Sequence, residues 1–446
     1  MIRSRATLAP VVAGACLGLW GAAALDVQAA PPSPPSKRDA RVEAAVTKET
    51  PAMIAVRQNI HQHPELGNRE VETAKLVAEH LRGLGLEVTT GVGKTGVVGV
   101  LKGGRPGPLV AVRADMDALP VTEDTALPFK STVRTSYLGQ EVGVAHACGH
   151  DIHVAVQMGV AAILASMKDE VAGEVQFVFQ PAEEGPPPGE EGGAALMLKE
   201  GLWKDRKPKA VFGLHASAHD PVGVVTYVPG PALSAADNLT IVIKGRGAHA
   251  SRPDLAVDPI VVASEVVMAL QTIRSRSTPP LSASVVTIGM FRGGQRRNII
   301  PGEVELQGTV RTYDPKVQDL IENRVREILD GVTKAHGATY TLEYDRRYPA
   351  TLNDLALTEA TLPSLRRAAG AEQVKKVDPQ TGSEDFSFFA NATPGFFYFL
   401  GTLKAGTTSG DHHTPTFLAD DSAVPVGMRV MSTVLLDYLD RESKRR

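Results

Sequence analysis

Four short segments concentrate side chains that can hold a metal ion or move a proton. His146-Ala147-Cys148-Gly149-His150-Asp151 sets a thiol and an imidazole two residues apart, and Gln180-Pro181-Ala182-Glu183-Glu184 pairs two carboxylates. Gly213-Leu214-His215 and Asp411-His412-His413-Thr414-Pro415 add further imidazoles. Histidine is scarce, 12 in 446 residues, so its presence in three of the four segments is informative. Singly, each has an ordinary explanation. A lone Cys is usually a small hydrophobe, adjacent glutamates a solvated face, and a His at a strand end a hydrogen-bonded core residue. Together, in a chain with no rival site, they point to a metal centre.

Cys148, His150, Glu184, His215 and His413 supply one thiolate, one carboxylate and three imidazoles. A zinc-like ion takes four protein ligands in a structural site and three plus water in a catalytic one. Five donors therefore suit two ions that share a bridging ligand, a pairing that stabilises attacking and leaving oxygens together. Glu183, beside Glu184 but free of metal, is placed to take a proton from water and return it to a leaving nitrogen. Thiolate and imidazole suit zinc, cobalt or nickel.

These segments must be carried by an ordered scaffold. Helical spacing covers residues 41–62 and 72–84, and strand-like runs follow at 87–90, 97–101, 109–114, 174–179 and 210–214. A long apolar helix is expected over 151–167 and a shorter one over 193–200. Buried strands alternating with helices mean an α/β layer, a mostly parallel mixed sheet flanked by helices. The candidate segments then fall at strand and loop ends, where open α/β sheets assemble their sites. After Pro229-Gly230-Pro231 the order changes to strand (237–244), helix (256–275), strands (282–290 and 303–312), helix (315–335) and strand (339–345). This is the split-βαβ, ferredoxin-like unit. The α/β pattern resumes with a helix at 358–369, a strand at 395–400 and a final helix at 423–439. The expected division is therefore a discontinuous catalytic domain, 39–231 and 347–446, interrupted by an inserted α+β domain over 232–346, with a cleft between them.

The 47 basic and 50 acidic side chains leave a net charge of −3, without the basic surplus that nucleic-acid binding requires. Arg3 and Arg5, the apolar run Leu8–Leu25 and the small residues around Val27-Gln28-Ala29 read as an export signal over 1–29, followed by a linker over 30–38. The expected location is thus periplasmic or secreted, with no stable membrane insertion once the signal is removed. Lipid anchoring through Cys16 is the weaker alternative, because Ala13-Gly14-Ala15 makes a poor lipobox. Cys148 is then the mature chain's single thiol. As a metal-bound thiolate it is protected, and metal loss in an oxidising medium is expected to inactivate.

The chain resembles the binuclear metallo-amidohydrolases that include hippurate hydrolase, bacterial aminoacylases and plant auxin-conjugate hydrolases, within the wider carboxypeptidase and aminoacylase metallopeptidases. The likeness runs from about Arg57 to the C-terminus. It rests on the four segments above and on His61-Gln62-His63-Pro64-Glu65-Leu66, Arg113-Ala114-Asp115-Met116-Asp117-Ala118-Leu119-Pro120, Gly245-Arg246-Gly247-Ala248-His249, Asn298-Ile299-Ile300-Pro301 and Ser383-Glu384-Asp385-Phe386. The resemblance implies two divalent ions per subunit, zinc or manganese first and cobalt or nickel next. It makes the five donors the metal ligands, Cys148 the bridge and Glu183 the general base. Asp117 would orient a ligand, since the related peptidases carry H-x-D where this chain has Asp115-Met116-Asp117. His249 would stabilise an oxyanion in the partner subunit's cleft of a homodimer formed through the inserted domain. Asn298 and Arg311 would hold a substrate carboxylate. One departure is Pro186-Pro187-Pro188-Gly189-Glu190-Glu191, directly after the base, where a short Gly-rich turn is expected.

The implied activity is hydrolysis of N-acyl amino acids to a carboxylic acid and a free amino acid. The alternatives are a dipeptidase or carboxypeptidase of the same wider family and a non-catalytic metal- or ligand-binding protein. Gly91-Val92-Gly93-Lys94-Thr95-Gly96 mimics a nucleotide loop, but strand residues follow it where a helix is needed.

Overall fold

Asp258-Pro259 and Asp314-Pro315 start the two helices of a small α+β unit by the same device. Each Asp side chain accepts a backbone N–H two residues on, from Ile260 at 2.9 Å and from Lys316 at 2.8 Å, and Pro fills the first helical position, where no donor is needed. The computed structural model that shows this describes residues 36–445. The expected export signal, most of the linker and Cys16 lie outside the described residues.

The two helices, Pro259–Thr272 and Pro315–His336, cover one face of a four-stranded antiparallel sheet. Its strand order is Ser284–Gly293, Glu303–Thr312, Ala235–Lys244 and Thr339–Tyr348. Leu239, Ile241, Val266, Leu270, Leu306, Ile321 and Val325 form a core of its own. The first helix starts three residues later than the periodicity suggests, because Asp258 is its cap, and it ends in a π-turn over Ile273–Ser277.

The larger sheet has eight strands, in the order Glu87–Val92, Gly96–Lys102, Ala172–Gln180, Arg105–Asp115, Val211–Pro221, Gly395–Leu403, Val225–Tyr227 and Val374–Lys376. The four central strands run parallel, and antiparallel pairs flank them. Alternate residues go to opposite faces. Val110, Val112, Phe177 and Phe179 pack under the helices His150–Ser166 and Ala423–Ser443, while Ala111, Val178 and Phe397 pack against Phe386 and Phe389 on the other side. Both faces are buried, which is why these strands read as continuous apolar runs. The helix Phe386–Ala392 and the short strands Val225–Tyr227 and Val374–Lys376 have no clear periodicity and escape a sequence reading. Among the described residues no helix is long and apolar enough to cross a membrane.

Candidate metal centre

The parallel strands Arg105–Asp115 and Ala172–Gln180 end together on one side of the large sheet, with Asp115 in register with Gln180, while His215, expected at a strand end, lies within the longer neighbouring strand Val211–Pro221. The helix His150–Ser166 begins at the same edge. Its N-cap, Gly149, has φ 92° and stands where a Cβ would lie 2.6 Å from that of Ala216, so only glycine lets the Cys148–His150 loop close on the sheet. His413 arrives from the C-terminal loop, its N–H donating to the Ala147 carbonyl at 2.8 Å.

All five expected metal ligands converge. Cys148 Sγ, His150 and His215 offer atoms within 4.8 Å of one another, as do Cys148, Glu184 and His413, so the two groups share one sulfur. His150 donates from Nδ1 to the Asp117 carbonyl at 2.9 Å, which turns Nε2 inward. That Nε2 is buried and has no hydrogen-bond partner, while lying 3.8 Å from Glu183 Oε2 and 3.9 Å from Glu184 Oε1. His215 engages its own Nδ1 with the Ala216 carbonyl at 2.7 Å and presents Nε2 to Cys148 Sγ at 3.4 Å. Orphaned, inward-facing donor atoms with their tautomers set from behind are what a cation site requires. This mixed N, O and S set fits two divalent ions.

The electrostatics agree. Burial opposes a charge on His150, yet Asp115, Asp117 and Glu184 together push its pKa up to about 10. Burial, then Glu184, Glu183 and Asp115, push the Cys148 thiol well above its ordinary value. Burial and the charges of Glu384, Glu184 and Asp385 likewise raise Glu183, against the pull of Arg113. This pocket has an excess of negative groups that a bound cation would relieve.

A second layer holds the first. The guanidinium of Arg113, fully buried, donates to Asp115 at 2.6 Å, Glu384 at 2.7 Å and Asp385 at 3.0 Å. His153 accepts the Ala216 N–H at Nε2 (2.7 Å), so its Nδ1 carries the proton it shares with Asp115 at 2.5 Å. His412 accepts the Ala218 N–H in the same way and points Nδ1 at the Cys148 sulfur, 3.6 Å away.

Three side chains from distant segments hold the backbone of the glutamate turn, two of them on the one peptide unit between Glu183 and Glu184. The Ala182 N–H donates to Glu70 at 2.8 Å, the Glu183 carbonyl accepts from the Tyr348 hydroxyl at 3.0 Å, and the Glu184 N–H donates to Asp117 at 3.0 Å. They hold Ala182 at φ 50°, a strained region for a residue with a Cβ.

A cavity of about 830 Å³ opens over this cluster. Cys148, Glu183, Glu184, His215 and His413 line one wall, and Asn238, Arg311, Arg347 and Tyr348 of the small sheet line the other. Arg311 thus joins the site. His249 and Asn298 do not in the single chain. They sit at an exposed two-stranded ribbon formed by segments distant in the chain, in which His249 pairs with Ile299, and neither lines the cavity. The Ser251 N–H donates to His249 Nδ1 at 3.1 Å, leaving Nε2–H directed away. Asn238, Arg347, Tyr348, Glu70, His153 and His412 were not singled out by sequence. The signals for them are a polar Asn238 within the run Ala235–Lys244 and the place of His412 beside His413 in the Asp411–Pro415 segment.

Comparisons with known proteins agree with this architecture. Thermostable carboxypeptidase 1 of Saccharolobus solfataricus is 38% identical over 379 residues, 84% of this chain and 92% of that protein. N-acetyl-L-cysteine deacetylase of Bacillus subtilis is 35% identical over 376 residues, 83% of this chain and 84% of that protein. The crystal structure of a dinuclear metal-binding peptidase of the M20 family from Bacillus subtilis superposes with a TM-score of 0.73 at 32% identity, covering 89% of this chain and 99% of that one. The pattern that describes peptidase family M20/M25/M40 matches residues 111–437, and the chain belongs to that family.

Proposed function

We propose that this protein is a metal-dependent amidohydrolase that cleaves N-acyl amino acids to a carboxylic acid and a free amino acid. One observation carries the reading. The cluster of orphaned ligand atoms and the Arg311 guanidinium face each other across one cavity, matching an amide bond and the carboxylate of the same small substrate. Two divalent ions held by Cys148, His150, Glu184, His215 and His413 would supply Lewis acidity to the scissile carbonyl and a nucleophilic water at neutral pH. Glu183 takes a proton on its carboxylate from the attacking water and delivers it to the leaving nitrogen. Its buried, acid-rich surroundings favour holding that proton between the two steps. Arg311 fixes the substrate α-carboxylate, and Asp117 keeps His150 in the right tautomer.

In this reading two chains associate through the small domain, and His249 and Asn298 act in the partner's cavity. The outer edge of strand Ser284–Gly293 has no strand partner among the described residues, and Val261 and Met268 are exposed on the neighbouring helix, which supports such pairing. Residues 1–29 are read as an export signal, tested by N-terminal sequencing of protein recovered outside the cytoplasm.

The deciding experiment measures amino-acid release from N-acetyl, N-benzoyl and indole-acetyl amino acids and from dipeptides, after metal removal and reconstitution with zinc, manganese, cobalt or nickel. Faster cleavage of acyl amino acids is expected. Faster cleavage of dipeptides would favour the peptidase reading, which the name of the carboxypeptidase relative supports. Release that does not depend on metal would overturn both.

A further inference from the structure

The small sheet carries three arginines near the cavity. Arg346 is saturated, pairing with Asp319 and Glu322 at 2.7 Å each. Arg311 and Arg347 both line the cavity of the metal ligands, and neither is paired with a carboxylate among the described residues. Arg311 donates only a long bond, 3.4 Å, to the Val310 carbonyl, and the α-carboxylate is its proposed partner.

Arg347 is placed with some care. Its guanidinium carbon lies 5.6 Å from the centroid of the Tyr348 ring, and Tyr348 in turn holds the Glu183 carbonyl. The other side of the guanidinium rests against Gly185, the residue after Glu184. A Cβ on Gly185 would fall 2.2 Å from Arg347 Nη2, so the glycine makes room for this side chain. Arg347 and Tyr348 also form a wall of a second cavity, of about 500 Å³, bounded opposite by the Pro186–Glu191 stretch that departs from the expected Gly-rich turn. One unpaired guanidinium therefore faces both spaces from beside the catalytic turn. Of the acidic residues on the second cavity, Glu190 is paired with Arg69 and Lys94 and Glu191 with Lys199, and Asp345 acts on Arg347 without forming an ion pair with it, which leaves the guanidinium able to receive an anion.

We infer that Arg347 binds a second anionic group of the substrate, so that the preferred substrates carry two carboxylates, one at Arg311 and one at Arg347. The second carboxylate comes either from an acidic amino-acid side chain or from the far end of a dicarboxylic acyl group. The inference rests on the amidohydrolase reading and narrows its substrate class.

The test uses two matched pairs with the metal-loaded protein: N-acetylglutamate against N-acetylglutamine, and N-succinyl-leucine against its neutral succinamyl analogue. In the wild type, kcat/KM for the charged member of one pair should exceed that for its neutral twin at least about tenfold, as expected for a charge-assisted bidentate contact. The pair that shows the preference identifies the source of the carboxylate. Arg347→Gln should collapse that ratio towards one, Arg347→Lys should retain part of it, and Arg347→Glu should invert it. Because Arg347 is exposed, these variants should fold, which unchanged thermal unfolding will verify. A wild-type ratio near one in both pairs, or a ratio that Arg347→Gln and Arg347→Glu leave intact, overturns the inference while leaving the amidohydrolase reading standing. Failure to cleave any of the four amides overturns the inference, and failure across the N-benzoyl and indole-acetyl amino acids as well overturns both.

Discussion

The Tyr348 hydroxyl donates to the main-chain carbonyl of Glu183 at 3.0 Å. Tyr348 ends the last strand of the small sheet, so an element of one sheet directly supports the residue proposed to transfer the proton at the edge of the other. The bond is polar and largely enclosed, and its loss leaves the Glu183 carbonyl without this partner.

Tyr348→Phe keeps the ring that packs edge-on against Phe388 and removes only the hydroxyl. A single neutral hydrogen bond is worth about 1 kcal/mol. The expected result is a fall in kcat of about five- to tenfold with KM and metal content nearly unchanged. Steady-state kinetics with metal analysis checks this, and an unaltered kcat would remove Tyr348 from the account.

Glu183→Gln should retain both metals, because Glu183 is not among the five proposed ligands. Turnover should fall by about 10²–10⁴-fold, the usual contribution of a positioned acid–base group. A variant that cleaves its best N-acyl amino acid at the wild-type rate sinks the role.

Glu70 is fully buried, and burial with the nearby charge of Asp117 pushes its pKa up to about 7. Its proton is held more tightly in the folded than in the unfolded chain. The resulting stability is complete below about pH 4.5 and is lost as the pH rises through about 7. Relative to Glu70→Gln, the wild type should lose on the order of 3 kcal/mol across that interval. Denaturant midpoints measured from about pH 5 to about pH 8 give the difference directly, and parallel curves for the two proteins would exclude the effect.

Chelation should abolish turnover, and Cys148→Ser should lower the number of ions retained. Burial argues against one expectation for the metal-free chain. Cys148 is 6% exposed and its thiol is held protonated by burial and neighbouring acids, so it is a poor target for oxidants. Chelated protein kept in air should regain activity with metal alone. A need for reductant would show that the pocket opens when metal leaves.

Much of this was legible in the chain. Cys148, His150, Glu184, His215 and His413 stand out because thiols and imidazoles are rare here, and the apolar periodicity places their segments in loops and beside strands along one edge of the sheet. Asp258-Pro259 and Asp314-Pro315 announce the helices of the small unit. Glu70 was not legible, since Asn68-Arg69-Glu70 reads as a solvated helix start although its carboxylate is buried. Asn238, Arg347 and Tyr348 lie on antiparallel strands. Alternation assigns such residues to a face, but only the tertiary fold determines that the face closes over a second sheet. The expected roles of His249 and Asn298 came from resemblance, and the single chain leaves both at an exposed two-stranded ribbon.

The position of Tyr348 bears on how relatives of this protein can be recombined. A chimera that imports the whole small sheet, through residue 348, also imports the hydroxyl that supports the host's glutamate turn, and with it the guanidinium resting on Gly185. A graft that stops two residues earlier exchanges the four strands and two helices but keeps the native support. The inserted unit is therefore not a freely exchangeable cassette, and the choice of splice point would decide whether a hybrid inherits the donor's substrate range or the host's.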